Sequence, residues 1–211
     1  MKPKRQYDST RRKAQARQTR REIIEAARRL FTERGYTGAT IEAIAQEADV
    51  AVETIYAAFG NKRALFSRLV DVSVGGDDEP ILLLQRPGPQ AVQKEHDQRT
   101  QVRMFAHQMS EIMSRMAPIF DVMHTAAKTE PDIADLRSSL LQQRLHGIQV
   151  FISALASNGP LQKELTEAQA AETTWVISSG EVFSLLTQYL GWPDEQYEAW
   201  LEDSLSRLLL P

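Results

Sequence analysis

Apolar residues recur at helical spacing along most of the chain, and short polar or Gly/Pro-containing segments separate these repeats. The most informative stretch lies between Thr40 and Phe66. From Ile41 to Ala48, apolar residues occupy the i, i+3, i+4 and i+7 positions of one helical face, and Thr40 precedes them as an N-cap. This pattern predicts a short helix that begins just after Thr40 and buries one side.

A tight turn at residues 48–51 leads into a second helix that begins near Val52. Asp49 lies where this chain reversal needs a residue that tolerates positive φ, and Asp does so better than most non-glycine residues. At about 100° per residue, the apolar side chains of the second helix fall on one side and leave a short outward face. The residues of that face are Glu53, Thr54, Tyr56 and Ala57.

Flanking helices complete a small domain. A helix from about Arg17 to Arg34 precedes the pair and ends at Gly35. Gly60 ends the second helix, and Asn61 can cap a third whose first turn contains Lys62, where free backbone amides and a cation together suit a phosphate oxygen. A compact helix-turn-helix with small and polar outward residues is what a reader of the DNA major groove requires.

The chain resembles the DNA-binding domain of the tetracycline-repressor (TetR) family of bacterial transcriptional regulators over roughly residues 17–70. The similarity lies in the run A-x-V-A-V-E-T-I-Y-A-A-F-G-N-K-x-A-L-F, preceded by T-I-x-x-I-A. It implies that Thr40, Thr54, Tyr56 and Lys62 approach DNA, with Tyr56 and Lys62 at phosphates.

Some positions depart from the family pattern. Asp49 stands where members usually have Gly, and Ala51 stands where they often have Ser, so the second helix lacks a hydroxyl N-cap. Ala57 stands where many members carry a basic or aromatic residue, which leaves Thr54 and Glu53 as candidate base readers. Glu53 can accept a hydrogen bond from a cytosine amino group, but it can equally have the purely structural role of complementing the dipole at the helix N-terminus.

Charge is divided unevenly along the sequence. Residues 1–70 contain 15 Lys and Arg against 8 Asp and Glu, whereas residues 71–211 contain 10 against 20, and the balances of +7 and −10 sum to the net charge of −3. Residues 2–21 contain nine Lys and Arg with Asp8 as the one opposing charge, and they show no apolar periodicity, which indicates a flexible arm. We expect the arm, with Arg12 and Arg17 among its DNA contacts, to track phosphates or to enter the minor groove, with a solubilising tail as the alternative.

The second half of the sequence is also helical in pattern. Helices are predicted at 98–116, 118–128, 131–157, 166–190 and 193–210, separated by proline and glycine positions. The predicted fold is therefore all-α, with an N-terminal three-helix helix-turn-helix domain followed by a larger helical domain. The predicted boundaries are a basic arm at 1–16, a DNA-binding domain at 17–74, and an effector-binding and dimerisation domain at 75–211.

Five of the six methionines lie within the twenty residues 104–123, across the predicted helices 98–116 and 118–128, in a stripe with two phenylalanines. Flexible, polarizable side chains suit a cavity that adapts to apolar ligands, and the family resemblance implies a small-molecule pocket in this half. Plain core packing is the alternative. The candidate pocket residues are Phe105, Met109, Met113, Met116, Phe120, Met123 and Trp175.

The last two predicted helices are rich in large apolar residues. The resemblance implies that they pair with their copies in a four-helix dimer interface, and monomer core is the alternative. The candidate interface residues are Phe183, Leu186, Trp200, Leu201 and Leu205. Glu181 interrupts this apolar stretch, either as an exposed residue or as a buried carboxylate that contacts a ligand or the second copy.

Several classes of protein are disfavoured. There is no run of eighteen apolar residues, no apolar segment behind the basic N-terminus and no cysteine, so we expect a cytoplasmic protein without a membrane span or a disulfide. We find no metalloprotease, nucleophile-elbow or P-loop motif, and the His107/Glu111 pair is more typical of a solvated helix surface than of a metal site. We therefore expect neither an enzyme nor a cofactor.

The sequence predicts a homodimeric transcriptional regulator that represses from a double-stranded DNA operator and is released by a small hydrophobic effector. One alternative is a DNA-binding scaffold dimer with no effector, and a weaker one is a helical enzyme. A dry, packed core around residues 109–123 would favour the scaffold, whereas turnover of a substrate would favour the enzyme.

Overall fold

The computed structural model of the protein describes residues 9–211, with side chains from residue 11 onward. The predicted arm residues Lys2, Lys4 and Arg5 lie outside the described residues. Over the described range the chain is helical and contains no strand, so the predicted all-α class is confirmed there. The chain divides into two compact units, the first ending at Leu69 and the second running from Val70 to Pro211.

The first unit contains the helix-turn-helix. Its helices are α1 (Ser9–Gly38), α2 (Ile41–Glu47), α3 (Val52–Phe59) and the first part of α4 (Lys62–Gly75). Gly35 interrupts α1 with φ 70 and ψ 173, so the regular helix ends where the sequence predicts. A left-handed conformation of this kind is accessible to glycine at little cost.

Helix α1 begins eight residues earlier than expected. Residues 9–16, predicted as part of a flexible arm, continue the helix, and the side chains of residues 11–18 are exposed. No glycine or proline occurs between Ser9 and Arg34, and the residues present include good helix formers such as Arg, Lys, Gln and Ala. A search for an apolar stripe misses such a helix because no side of it is buried.

Aromatic rings and branched aliphatic residues form the core of the first unit. The Phe31 ring lies edge-on to that of Phe66 at a centroid distance of 5.0 Å, and it stacks on Tyr36 at 5.7 Å. Ile44 of α2 and Ile55 of α3 are fully buried. The two short helices are therefore held to the long helices by their apolar faces, which leaves their polar faces outward.

The second unit is built around one long helix. Its elements are a short 3₁₀ turn (Leu83–Gln85), α5 (Pro87–Lys94), α6 (Gln98–Ala126), α7 (Pro131–Asn158), α8 (Glu167–Ile177), α9 (Gly180–Ser184), a π-helical turn (Leu185–Tyr189) and α10 (Asp194–Leu209). Helix α6 packs against α5, α7, α9 and α10. The candidate pocket stripe lies on this central helix.

Helix α6 is continuous through Pro118, so the predicted break between two helices at 116–118 is wrong. Proline removes one hydrogen bond from a helix interior and usually kinks or ends the helix. Here Met113 and Met116 before the proline and Phe120 after it are all buried. Packing of α6 against its neighbours stabilises the helix by more than the missing hydrogen bond costs.

Two other elements differ from expectation. The Gly/Pro-rich segment at 86–90 forms the start of α5, because Pro87 lies in the first turn, where no intrahelical donor is needed. The predicted helix 166–190 is divided near Ser178, and Ser179 caps α9 by accepting a hydrogen bond from the Val182 backbone N–H at 3.3 Å. Serine competes locally for backbone hydrogen bonds, which favours such a break.

Among the described helices, none combines the length and the apolar character that crossing a membrane would require.

Candidate functional site

The turn between α2 and α3 has the geometry that the sequence predicts. The Thr40 hydroxyl accepts a hydrogen bond from the Ala43 backbone N–H at 3.1 Å and so caps α2. Asp49 adopts φ 51, and the Val50 N–H donates to the Ala45 carbonyl at 3.0 Å. Asp49 therefore fills the left-handed position that other residues avoid, and this fixes where α3 begins.

Helix α3 presents a short polar face. Ile55 is fully buried, whereas Glu53, Tyr56 and Ala57 are exposed. Thr54 is half-buried at the edge of this face. The exposed surface consists of a carboxylate, a phenol and a methyl group, with a hydroxyl beside them, and no long apolar side chain blocks its approach to another molecule.

Arg20 positions the end of α3. Its Nη1 donates a hydrogen bond to the Ala58 carbonyl at 2.8 Å, and its guanidinium lies 4.5 Å from the centre of the Phe59 ring. A cation at a helix C-terminus complements the carbonyl end of the helix dipole. Sequence patterns do not predict this role for Arg20, because a partner 38 residues away leaves no local signal.

Lys62 lies beside the loop between α1 and α2. Its Nζ donates to the Thr37 carbonyl at 3.3 Å and lies 4.6 Å from the centre of the Tyr36 ring. The adjacent Asn61 caps α4, since its Oδ1 accepts from the Ala64 N–H at 2.8 Å. The ammonium group is thereby held near the start of α4, and its predicted phosphate contact stays a prediction.

Basic side chains are exposed along the start of α1. They are Arg11, Arg12, Lys13, Arg17 and Arg21. The predicted DNA contacts Arg12 and Arg17 are about one and a half helical turns apart on this helix, which places a line of positive charge in the same unit as α3.

The candidate pocket residues of α6 face the interior of the second unit. Phe105, Met113, Met116, Phe120 and Met123 are all buried, whereas Met109 is half-buried. The Phe105 ring stacks on Phe151 of α7, with ring centres 4.0 Å apart. A Cβ atom placed on Gly180 would come within 3.3 Å of the Phe120 ring, so α9 approaches the stripe closely at this glycine.

The remaining pocket candidate, Trp175, and the ambiguous Glu181 have different surroundings. Trp175 is half-buried, and its backbone carbonyl accepts a hydrogen bond from Arg144 at 2.7 Å. The Glu181 side chain is exposed and lies 3.9 Å from Arg137. Of the two alternatives for Glu181, an exposed residue or a buried carboxylate, the single chain therefore shows the exposed residue.

Three candidate dimer residues do not lie at a surface. Phe183, Leu201 and Leu205 are buried within the single chain, so their positions do not support a contact with a second copy. Leu186 and Trp200 are half-buried. Helical spacing alone cannot distinguish the face that packs on α6 from the face that points outward.

Other large apolar side chains of this region are exposed. Tyr189 is 82% exposed, Leu185 59% and Leu190 57%. Val176 of α8 and Leu208 of α10 are exposed as well. These five residues form what we call the outer apolar set, and exposed side chains of this kind are typical of interaction surfaces.

The helix-turn-helix matches a known protein family. Residues 23–69 match the sequence model of the family described as bacterial regulatory proteins, tetR family. The chain is also 28% identical over 206 residues to the HTH-type transcriptional regulator TtgR of Pseudomonas putida, an alignment that covers 94% of this chain and 95% of TtgR.

Solved structures share the fold. The regulator FadR from Bacillus subtilis, in complex with stearoyl-CoA, has a TM-score of 0.66 at 16% identity and covers 88% of this chain and 96% of its own. SmeT, the repressor of the Stenotrophomonas maltophilia multidrug efflux pump SmeDEF, has a TM-score of 0.68 at 14% identity and covers 91% and 90%. The helix-turn-helix of residues 23–69 therefore belongs to the TetR family of bacterial regulatory proteins, and nearly the whole chain is similar to the transcriptional regulator TtgR.

Proposed function

We propose that the protein is a sequence-specific DNA-binding regulator that represses transcription and leaves its operator when a small molecule binds in the second unit. The observation that carries this proposal is the exposed polar face of α3, set at a fixed angle by the left-handed Asp49 turn and by buried Ile55. A helix held in this way, beside an excess of basic residues, has the features of a major-groove reader.

The proposed DNA contacts fall into two kinds. Thr54 and Glu53 are the candidate base readers, because a hydroxyl and a carboxylate can hydrogen-bond base edges. Thr40, Tyr56, Lys62, Arg12 and Arg17 are candidate phosphate contacts. The phosphate contacts would supply most of the affinity and the base readers most of the selectivity.

A homodimer is the proposed functional form, with residues 17–74 as its DNA-binding part and residues 75–211 as its ligand-binding and dimerisation part. The outer apolar set supports this, since exposed apolar side chains of this size are better buried against a second copy. A two-fold dimer would offer α3 twice and so match an operator with two similar half-sites.

The proposed ligand site lies along the α6 stripe. Its aromatic and methionine side chains suit an apolar ligand, and FadR, which shares the fold, was solved with stearoyl-CoA bound. A ligand would release DNA by preferring a dimer geometry in which the two copies of α3 no longer match the operator.

Selection from a pool of random duplexes tests the proposal. We expect enrichment of a nearly palindromic sequence with half-sites about one helical turn, or a multiple of it, apart. A matched pool bound by the Ile55→Ala variant should give no enrichment, because loss of this buried residue disrupts the packing of α3. Binding without any preferred sequence in the wild type would contradict the proposal.

A second candidate is a DNA-binding dimer without an effector. The burial of Met116 and Met123 favours it, since fully buried methionines also suit an ordinary packed core. Met113→Ala separates the two: in a packed core it costs about 2–5 kcal/mol of stability, whereas at a ligand site it costs less and changes ligand affinity.

A further inference from the structure

A cationic side chain lies within the second unit without a carboxylate beside it. Arg144 of α7 donates from Nη2 to the Trp175 carbonyl at 2.7 Å and to the Ser178 hydroxyl at 2.9 Å. In the part of the chain that the structure describes, no carboxylate oxygen lies within ion-pair distance of its guanidinium. Glu181 acts on it from farther away, and its own ion pair is with Arg137.

A cation in these surroundings is unfavourable unless a counter-charge compensates it. Arg144 is half-buried, and desolvation lowers the pKa of Arg144 to about 10, since the charged form loses hydration that its neutral neighbours only partly replace. Buried charges in proteins are ordinarily paired or bound to a ligand. The Arg144 guanidinium differs from such charges, because no carboxylate among the described residues forms an ion pair with it.

Several buried polar atoms of Arg144 and of neighbouring helices have no hydrogen-bond partner among the described residues. They are Nε of Arg144, Nε1 of Trp175, the hydroxyl of Tyr197 and Oγ1 of Thr174, together with Nε of Arg137, which forms the ion pair with Glu181. Tyr197 and Thr174 are fully buried. All of these atoms carry a proton to donate; the nitrogens only donate, whereas the two hydroxyls can also accept.

These groups belong to one region of the unit. Helix α8 packs against both α7 and α10, and the Trp175 ring lies 5.4 Å from the Arg144 guanidinium. The charge of Arg144 also acts on Tyr197, whose ring packs edge-on to Phe183 at 4.8 Å. We call Arg144, Thr174, Trp175 and Tyr197 the donor cluster.

The donor cluster adjoins the apolar stripe. Ser178, which accepts a hydrogen bond from Arg144, lies two residues before Gly180, and Gly180 is in close contact with the Phe120 ring. A molecule placed along α6 at Phe120 would therefore meet donors at one end and apolar side chains along its length.

Resting on the function proposed above, we propose that the effector is an amphipathic carboxylic acid whose carboxylate binds the donor cluster while its apolar body lies along the α6 stripe. A guanidinium presents donors in a planar fork that matches a carboxylate, and the phenol and indole add further donors. An ammonium ligand would meet an unpaired cation, and a neutral hydrocarbon would leave every one of these donors unsatisfied. The carboxylate is thus the group that completes the site.

Calorimetric titration of the full chain without DNA tests this assignment, with decanoate and 2-naphthoate as probes, each beside its methyl ester. Ester formation removes the charge and leaves the apolar body nearly unchanged. We expect at least one acid to bind about 10- to 100-fold more tightly than its ester, as a charge-assisted hydrogen-bonded pair implies. Equal binding of acids and esters, or no binding of either acid, would overturn the assignment.

Substitutions at Arg144 test whether this residue causes the preference for acid over ester. Arg144→Met should remove that preference, and Arg144→Lys should retain part of it, because lysine keeps the charge but not the planar guanidinium donors. Arg207→Met is the matched control, since Arg207 is an exposed arginine of the same unit that pairs with Asp203 at 2.9 Å. An acid-over-ester preference that is unchanged in Arg144→Met, or that falls equally in Arg207→Met, would overturn the assignment.

Tyr197→Phe keeps the test decisive if Arg144→Met does not fold. It removes one unsatisfied hydroxyl and leaves the ring that packs on Phe183. We expect a several-fold loss of acid-over-ester preference with unchanged ester binding, and an unchanged preference would count against the assignment. These titrations contain no DNA, so their outcome does not depend on whether the protein is a regulator. If only a neutral compound released the operator, the proposal of a ligand-responsive regulator would stand and the proposal of a carboxylic-acid effector would be wrong.

Discussion

We propose that Thr54 of α3 distinguishes one base from another. It is half-buried beside exposed Glu53 and Tyr56, so its hydroxyl has fewer orientations than that of a fully exposed side chain. A hydroxyl that is held in this way can contribute a directional hydrogen bond to a base edge.

Thr54→Ala should therefore weaken binding to a selected operator by roughly 1 kcal/mol or more while leaving binding to random DNA nearly unchanged. Fluorescence anisotropy with both duplexes measures the two effects. Lys62→Ala is the comparison, because loss of a phosphate contact should weaken both duplexes alike. Equal losses on both duplexes for the Thr54 variant would reassign Thr54 to the phosphate backbone.

At the scale of the element, the end of α3 depends on a backbone conformation rather than on a contact. Gly60 has φ +85, and a Cβ atom placed on it would meet nothing within 4 Å. The requirement for glycine is thus conformational, because residues with a Cβ atom rarely adopt this angle.

Gly60→Ala should lower the free energy of unfolding by about 1–3 kcal/mol, as a strained left-handed residue implies. The matched control is Gly147→Ala in the middle of α7, where the new Cβ would meet only Leu84, at an ordinary 3.9 Å. There the change should stabilise by about 0.5–1 kcal/mol, since alanine is the better helix former. Urea unfolding followed by circular dichroism measures both, and a similar effect of the two substitutions would contradict this account.

The elements of the first unit could be predicted because their signals are local. Thr40, Asp49, Gly60 and Asn61 each act within four residues, through caps and turns. The break predicted at Pro118 is wrong because the competing influence, burial of both flanks of α6, comes from residues distant in sequence.

At the scale of the whole molecule, the donor cluster and the outer apolar set could not have been predicted. Arg144 and Trp175 are 31 residues apart, and nothing in either local sequence indicates their contact. Helical spacing likewise predicts an apolar helix at 193–210 but not which of its sides is covered, and the interface candidates Leu201 and Leu205 are buried within the single chain.

The outer apolar set gives a prediction about assembly. Tyr189→Glu places a charge where we propose that a second copy covers the side chain, so the mass measured by light scattering should fall from that of two chains to that of one. Tyr56→Glu, at an exposed tyrosine of the first unit, should leave the dimer intact and weaken DNA binding through charge repulsion. A dimer that tolerates Tyr189→Glu would place the interface elsewhere.

We propose that α3 reads a DNA sequence while the basic residues of the first unit supply affinity. The most direct test measures the dissociation constants of the selected operator and a scrambled duplex side by side, from about 50 to 200 mM salt, where each phosphate contact contributes a slope of about 0.9 in log K against log salt. We predict that both affinities fall steeply with salt and that the operator stays at least about 1,000-fold preferred at physiological salt. Equal affinity for the two duplexes at every salt concentration would show that charge alone binds the DNA, and it would contradict the account.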